Sequence, residues 1–371
     1  MWCNNLLSRY SQSNVIFIAT IIIMMMVTQR SVAFSVMRST KRVVEVVPPL
    51  HIRWMSSSSS TFTTQDLSIQ NTTLGSDEGK VLLDGLDVYS VPASADGHPL
   101  AVYGINSSDN DKKDDDDDMK RPPILLLHGR TWSSIPVYHL LGGSNRNNGS
   151  VDSSSEGDSS RSLMEALYDA GLQPYAMDFR GFGGTPRDAT GFVDPKRCVA
   201  DTETVLKFIH NSCRGKMPTL LGWSQGALVA QLVAQKSPHL LSKLTLYGSI
   251  YNPNIFYPRN PLYIEQDDQI PSNIINTYDA AIEDFTIEGS IPPETAKSFA
   301  KAALITDPIK AQWNYLHEFN NCDPARVLVP TLLVRTYIHP CHYQFPIIFF
   351  ILYSYCLQFY STMVSLYYIH I

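Results

Sequence analysis

Gly222-Trp223-Ser224-Gln225-Gly226 sets a serine between two glycines, where a short apolar run, Thr219 to Gly222, gives way to a helical one, Gln225 to Lys236. That placement suits nucleophilic chemistry at Ser224. A serine on a tight strand-to-helix turn needs small neighbours where strand and helix crowd together, and the turn lifts its hydroxyl clear of the sheet. The next backbone N–H, that of Gln225, opens the helix, where partial positive charge suits an oxyanion. The competing reading is an ordinary βα turn with a buried serine. Upstream, His128-Gly129-Arg130 follows another apolar run, Pro123 to Leu127, and the string Asp178-Phe179-Arg180-Gly181-Phe182-Gly183-Gly184-Thr185 follows a third.

The elements around these motifs alternate. Strands are expected at 123–127, 174–177, 219–222, 244–247 and 331–334, each a short apolar run. Helices are expected at 162–170, from Asp194-Pro195 onward, and at 225–236. In the second, Asp caps, Pro takes the first turn, and Val199, Val205, Leu206 and Ile209 share one face. Strand and helix in alternation imply a mostly parallel sheet with helices on both faces. Val81–Val91 and Pro99–Ile105 read as an antiparallel hairpin at the sheet edge. Residues 106–121, with a run of Asp, and 142–161, rich in Gly, Ser and Asn, read as surface insertions.

Over residues 80–335 the chain resembles the α/β-hydrolases that carry a movable cap. Three motifs carry the resemblance in the family's order: Leu126-Leu127-His128-Gly129, the Asp178–Thr185 string, and the serine turn at 222–226. The resemblance implies a serine hydrolase acting on an ester, thioester or amide through an acyl-enzyme at Ser224. The backbone N–H groups of Gln225 and Arg130 would hold the oxyanion. His128, Asp178 and Arg180 would keep the loops in shape. Residues 252–320 would be the cap. Its aromatic side chains (Phe256, Tyr257, Tyr263, Tyr278, Phe285, Phe299, Trp313, Tyr315 and Phe319) would either line an acyl pocket or form the cap's own core.

The resemblance then breaks off. The family places an acid after the strand equivalent to 331–334, and a His later, in a Gly-His setting. No Asp or Glu follows Asp323, and His339, His342 and His370 have no preceding Gly. The fold's last strand and helix are therefore expected to be missing, and the activity impaired. The alternative is a non-catalytic α/β-hydrolase-like protein, with membrane attachment as one form of it. Residues 336–371 have two readings: an aberrant tail, or a membrane anchor within the apolar stretch 346–369.

The front of the chain reads as an address. Val15–Val27 is uncharged and is followed by Ser31-Val32-Ala33, as in a signal peptide spanning 1–33. Residues 34–70 have transit-peptide composition, and Val32-Ala33-Phe34-Ser35 resembles the cleavage motif of the bipartite presequences of algal plastids. Plastid delivery through the secretory pathway is the expectation, with secretion or membrane residence as alternatives. Of the net charge of −6, −5 comes from seven Asp and two Lys in Asp109–Asp118, so no basic patch for nucleic acid is visible. Six Cys form no CxxC pair, which argues against a zinc site or disulfide scaffold. Neither cofactor nor metal is expected; the expected partner is a small acyl substrate.

Overall fold

The structure is a computed structural model. It describes residues 60–61, 74–106, 121–140, 162–252, 256, 273–284, 293–337 and 347–353. Contacts divide the chain into units 1–58 and 59–371, and all described residues fall in the second. The presequence, most of both insertions and the remainder of the tail lie outside the described residues.

In chain order the strands are β1 (Ser60–Thr61), β2 (Leu86–Pro92), β3 (Pro99–Ile105), β4 (Pro123–Leu127), β5 (Gln173–Met177), β6 (Phe192–Val193), β7 (Thr219–Trp223), β8 (Lys243–Tyr247), β9 (Gln312–Trp313), β10 (Thr331–Tyr337) and β11 (Ile347–Tyr353). The helices are α1 (Asp77–Leu82), α2 (Ser134–Tyr138), α3 (Leu163–Asp169), α4 (Pro195–Ser212), α5 (Gln225–Lys236), α6 (Tyr278–Glu283) and α7 (Pro293–Thr306). Nine strands form one sheet in the order β1-β2-β3-β5-β4-β7-β8-β10-β11, with β5, β4, β7, β8 and β10 mutually parallel.

The parallel strands are apolar throughout because both faces are covered. All five residues of β4 are buried. α4 starts at Asp194, whose carboxylate accepts from the Arg197 N–H at 2.7 Å, and it buries Val199, Val205, Leu206 and Ile209. α3 starts with a capping box between Ser162 and Glu165. α5 packs on β7, β8 and α4, and nine of its twelve residues are buried.

One feature of this order positions the site. The chain leaves β4 towards one side to make β5, then returns across β4 to make β7 on the other side. The order reverses between β4 and β7, and a crevice opens above their carboxyl ends. Leu127 is in register with Gly222 there, so the segments beginning at His128 and Trp223 emerge side by side.

One expectation needs correcting. The edge hairpin exists, but its first strand starts at Leu86 rather than Val81. Ser76 caps a helix there, accepting from the Gly79 N–H at 3.1 Å, with Asp77 and Glu78 in the first turn. Gly85, at φ 75°, then turns the chain into β2. At the other end, β10 continues to Tyr337, and part of the tail adds β11 antiparallel to it, from Thr331↔Tyr353 to Tyr337↔Ile347. The stretch 347–353 is thus strand. Among the described residues no helix is long and apolar enough to cross a membrane.

Candidate active site

Ser224 has φ 55° and ψ −117°, a conformation that costs a non-glycine residue about 1–3 kcal/mol. Its surroundings hold it there. Its N–H donates to the Tyr247 carbonyl at 2.9 Å, and its own carbonyl accepts from the Ala227 N–H at 3.1 Å. The flanking glycines are required by contact. A Cβ on Gly222 would lie 2.4 Å from the Gly226 carbonyl oxygen, and one on Gly226 would lie 2.2 Å from the His128 carbonyl oxygen. The G-x-S-x-G spacing is therefore the record of α5 pressing on β7 and on the loop after β4.

That loop runs beside the serine. A Cβ on Gly129 would sit 3.4 Å from the Ser224 Cβ and 3.2 Å from the Trp223 ring. The structure thus brings the Arg130 loop, Ser224 and Gln225 together. Gln225 is the first residue of α5, so its backbone N–H belongs to the turn where the helix dipole concentrates positive charge. Ser224 is half-buried. Among the described residues no side chain accepts a hydrogen bond from its hydroxyl.

His128 cannot serve as a base. It is fully buried, and burial holds its pKa down to about 3. The Phe179 N–H donates to its Nε2 at 3.1 Å, so Nδ1 carries the proton and donates to the Gly129 carbonyl at 2.9 Å. A carbonyl and the following N–H are fixed by one rigid peptide plane. His128 therefore aims the Arg130 N–H by holding the other end of its peptide.

Asp178 and Arg180 organise loops, as the sequence suggested. The Asp178 carboxylate accepts from Tyr103 Oη (2.7 Å), the Ser134 N–H (2.8 Å) and the Gly184 N–H (3.0 Å). Burial, with Asp307 adding like charge, pushes it up to about 7 against the pull of those donors. Arg180 is paired with Asp201 at 2.7 and 2.8 Å and with Asp96 at 2.6 and 3.1 Å. Burial pulls its pKa down, but these carboxylates outweigh that and raise it.

The aromatic residues of 252–320 divide. Phe299, Trp313 and Phe319 are buried in packing: Phe299 against Trp132, and Trp313 against Phe179, Phe182 and Phe319. Only Phe299 matches the expected cap core; Trp313 and Phe319 belong to the core of the main body. Phe256, Tyr278 and Tyr315 are exposed, and Tyr257, Tyr263 and Phe285 lie outside the described residues. From β9 onward the segment belongs to the main body, since β9 pairs with β6. His317 is described, in edge contact with Tyr315; His339, His342 and His370 lie outside the described residues.

Sequence reasoning missed Tyr103, Ser133, Ser134 and Asp307. Each is a commonplace polar residue whose partner lies at least 40 positions away, as in Ser133 with Asp307 and Tyr103 with Asp178, and no short motif encodes such a pair. Among the described residues no cluster of His, Cys, Asp and Glu could hold a metal ion.

Residues 154–318 match a family model described as serine aminopeptidase, S33. No curated protein matches the chain. Similar solved structures include the thioesterase domain from the curacin biosynthetic pathway, at 15% identity over 67% of this chain and 83% of that one, with a TM-score of 0.41. Another is E-2-(acetamidomethylene)succinate hydrolase, at 18% identity over 67% and 80%, with a TM-score of 0.41. A serine hydrolase involved in carbazole degradation is similar at 15% identity over 67% and 78%, with a TM-score of 0.38.

Proposed function

We propose that this chain, with its mostly parallel sheet and a match to the serine aminopeptidase family model over 154–318, is a serine hydrolase of the α/β-hydrolase kind whose nucleophile is Ser224, cleaving an ester, thioester or amide through an acyl-enzyme. The observation that carries this reading is the strained Ser224 turn at the sheet's switch point, with the 128–130 loop alongside. Ser224 Oγ adds to the substrate carbonyl carbon. The negative charge that develops on the carbonyl oxygen is met by the N–H groups of Gln225 and Arg130. Collapse of that intermediate expels the alcohol, thiol or amine and leaves an acyl-serine, which water then hydrolyses.

Each of these steps needs a proton taken from Oγ or from water and one given to the leaving group. No described side chain is bonded to Oγ, and no acid follows Asp323. We therefore read turnover in this chain as strongly impaired, by about 10⁴-fold or more against a complete triad, with the residue left to binding and the oxyanion donors.

The test is titration of the full chain with a fluorophosphonate probe beside Ser224→Ala. Slow labelling that disappears in Ser224→Ala supports the reading. Rapid stoichiometric labelling would show that a base exists, with His317 and His339 the first substitutions to try. Equal labelling of both proteins would remove Ser224 and favour a non-catalytic role. The proposal extends to targeting: sequencing the mature N-terminus should find a start near Phe34 or beyond, and a chain still starting at Met1 would overturn it.

A further inference from the structure

The loop between β4 and α2 is tied at three residues, Arg130, Trp132 and Ser133, to residues 152 to 183 positions further along the chain. The Arg130 carbonyl accepts from Trp313 Nε1 at 3.1 Å. The Trp132 indole N–H donates to the Asp284 carboxylate, and its ring meets Phe299 edge-on at 6.1 Å within a small buried cluster that includes Ala281 and Ala303. Ser133 donates twice to Asp307, from its N–H at 2.9 Å and its hydroxyl at 2.7 Å. Only at Ser134 does the loop return to the sheet, through Asp178.

Asp307 is a costly way to make such a tie. It follows the C-terminus of α7, where the helix dipole disfavours an anion, and it is buried without a cation. Its carboxylate is satisfied by neutral donors: both groups of Ser133, the Gly183 N–H at 2.9 Å and the Thr306 hydroxyl at 3.0 Å. An apolar contact would join the same elements with no desolvation cost, but it would not set direction. Hydrogen bonds at four fixed angles do. Asn276 Nδ2, just before α6, donates to the Asp307 carbonyl at 2.8 Å, so α6 and α7 bear on the loop as one piece.

We propose that Asp307, Asp284 and Trp313 are positioning residues for the oxyanion donor. Trp313, on β9, anchors residue 130 from the main body, while Asp284 and Asp307, at the ends of α6 and α7, hold 132–133 in the conformation that presents the Arg130 N–H beside Ser224, so that seating those helices and completing the site are one event. The proposal rests on the reading of Arg130 as an oxyanion donor only for its catalytic consequence; the mechanical coupling stands on its own. Coupling of this kind is reciprocal. Whatever loosens the cap must loosen the loop, and whatever loosens the loop must loosen the cap.

Hydrogen exchange on the full chain tests it without needing activity. In Asp307→Asn, amides at 130–134 should exchange about tenfold faster, while those of β4 and β7 stay as they were. In Trp132→Phe, which keeps an aromatic ring but loses the N–H donor and the second ring of the indole, amides of α6 and α7 should speed up by a similar factor. Unchanged loop exchange in Asp307→Asn would overturn the proposal. So would a uniform acceleration reaching β4 and β7, the signature of general destabilisation. Fluorophosphonate kinetics separate the two readings. If Ser224 labels, Asp307→Asn should lower the maximal rate about tenfold with half-saturation unchanged, and an unchanged rate would overturn the catalytic part. If Ser224 does not label at all, the nucleophile reading fails, while the exchange result still decides the coupling.

Discussion

The carboxyl ends of β7 and β10 lie on the same edge of the same parallel sheet, and they are furnished in opposite ways. After β7 the chain turns sharply at Ser224, with two glycines admitting backbone contacts that no Cβ could survive and a carbonyl from β8 holding the serine's N–H. After β10 the chain carries no acid, and the strand is followed by Ile347–Tyr353, which pairs back along it. A parallel sheet delivers strand ends to one edge regardless of what they carry. Chemistry then depends on whether the loops there bear groups that hold or move a proton. The setting of Ser224 is local and built by packing, whereas a base and an acid for the proposed chemistry would have to come from other loops.

The largest effect should come from equalising the two ends. Replacing 336–371 with a segment bearing a G-x-x-D turn and a later Gly-His should raise fluorophosphonate labelling by about 10³-fold or more. No gain, in a protein that still folds, would mean that the two ends do not face one site. Next comes the packing at β7. Gly226→Ala should cost about 3 kcal/mol in urea denaturation, because the new methyl meets two carbonyl oxygens, of His128 at 2.2 Å and Leu127 at 2.7 Å, rather than a side chain that could swing away. A change below about 1 kcal/mol would show the contact to be soft.

A third effect is pH-dependent and confined to the β7 side. His128 titrates at 6.5 unfolded and at about 3 folded, so the unfolded chain binds the extra proton between those values, and stability contributed by neutral His128 is lost as pH falls from 6.5. Asp178 runs the other way. It titrates at 3.8 unfolded and at about 7 folded, so the folded chain binds the extra proton, and stability falls as pH rises through that window. The two slopes oppose one another from about pH 4 to 6.5. Asp178→Asn should therefore leave stability rising with pH there, and His128→Gln should leave it falling, each by up to about 1.4 kcal/mol per pH unit. Denaturation midpoints at three pH values decide it, and parallel slopes would contradict both assignments. The smallest effect belongs to the tail. Deleting 347–371 should change the residual labelling of Ser224 by less than about twofold, since β11 pairs only with β10, and β8 stands between β10 and β7.

Much of this protein is written locally. The runs at 123–127 and 219–223, the Asp194-Pro195 helix start and the G-x-S-x-G turn are legible because each depends on residues within a few positions: apolar continuity, a cap, a glycine where strand and helix collide. The role of His128 as a loop residue was legible through family resemblance, but its tautomer came only with the Phe179 N–H, 51 positions on. The helix at Asp77–Leu82 went unread because its apolar residues run directly into those of β2.

The sequence by itself determined the alternation of strands and helices and the glycine-flanked serine turn, since short spacing carries both. Only the tertiary structure decided that β4 and β7 are neighbours, that the Arg130 loop lies beside Ser224, and that Asp307 reaches back to Ser133. The physical reason is range. A cap or a turn is decided by interactions within a few residues of chain, whereas a carboxylate finds distant donors only once the sheet order has folded them together and burial has removed water as a competing partner.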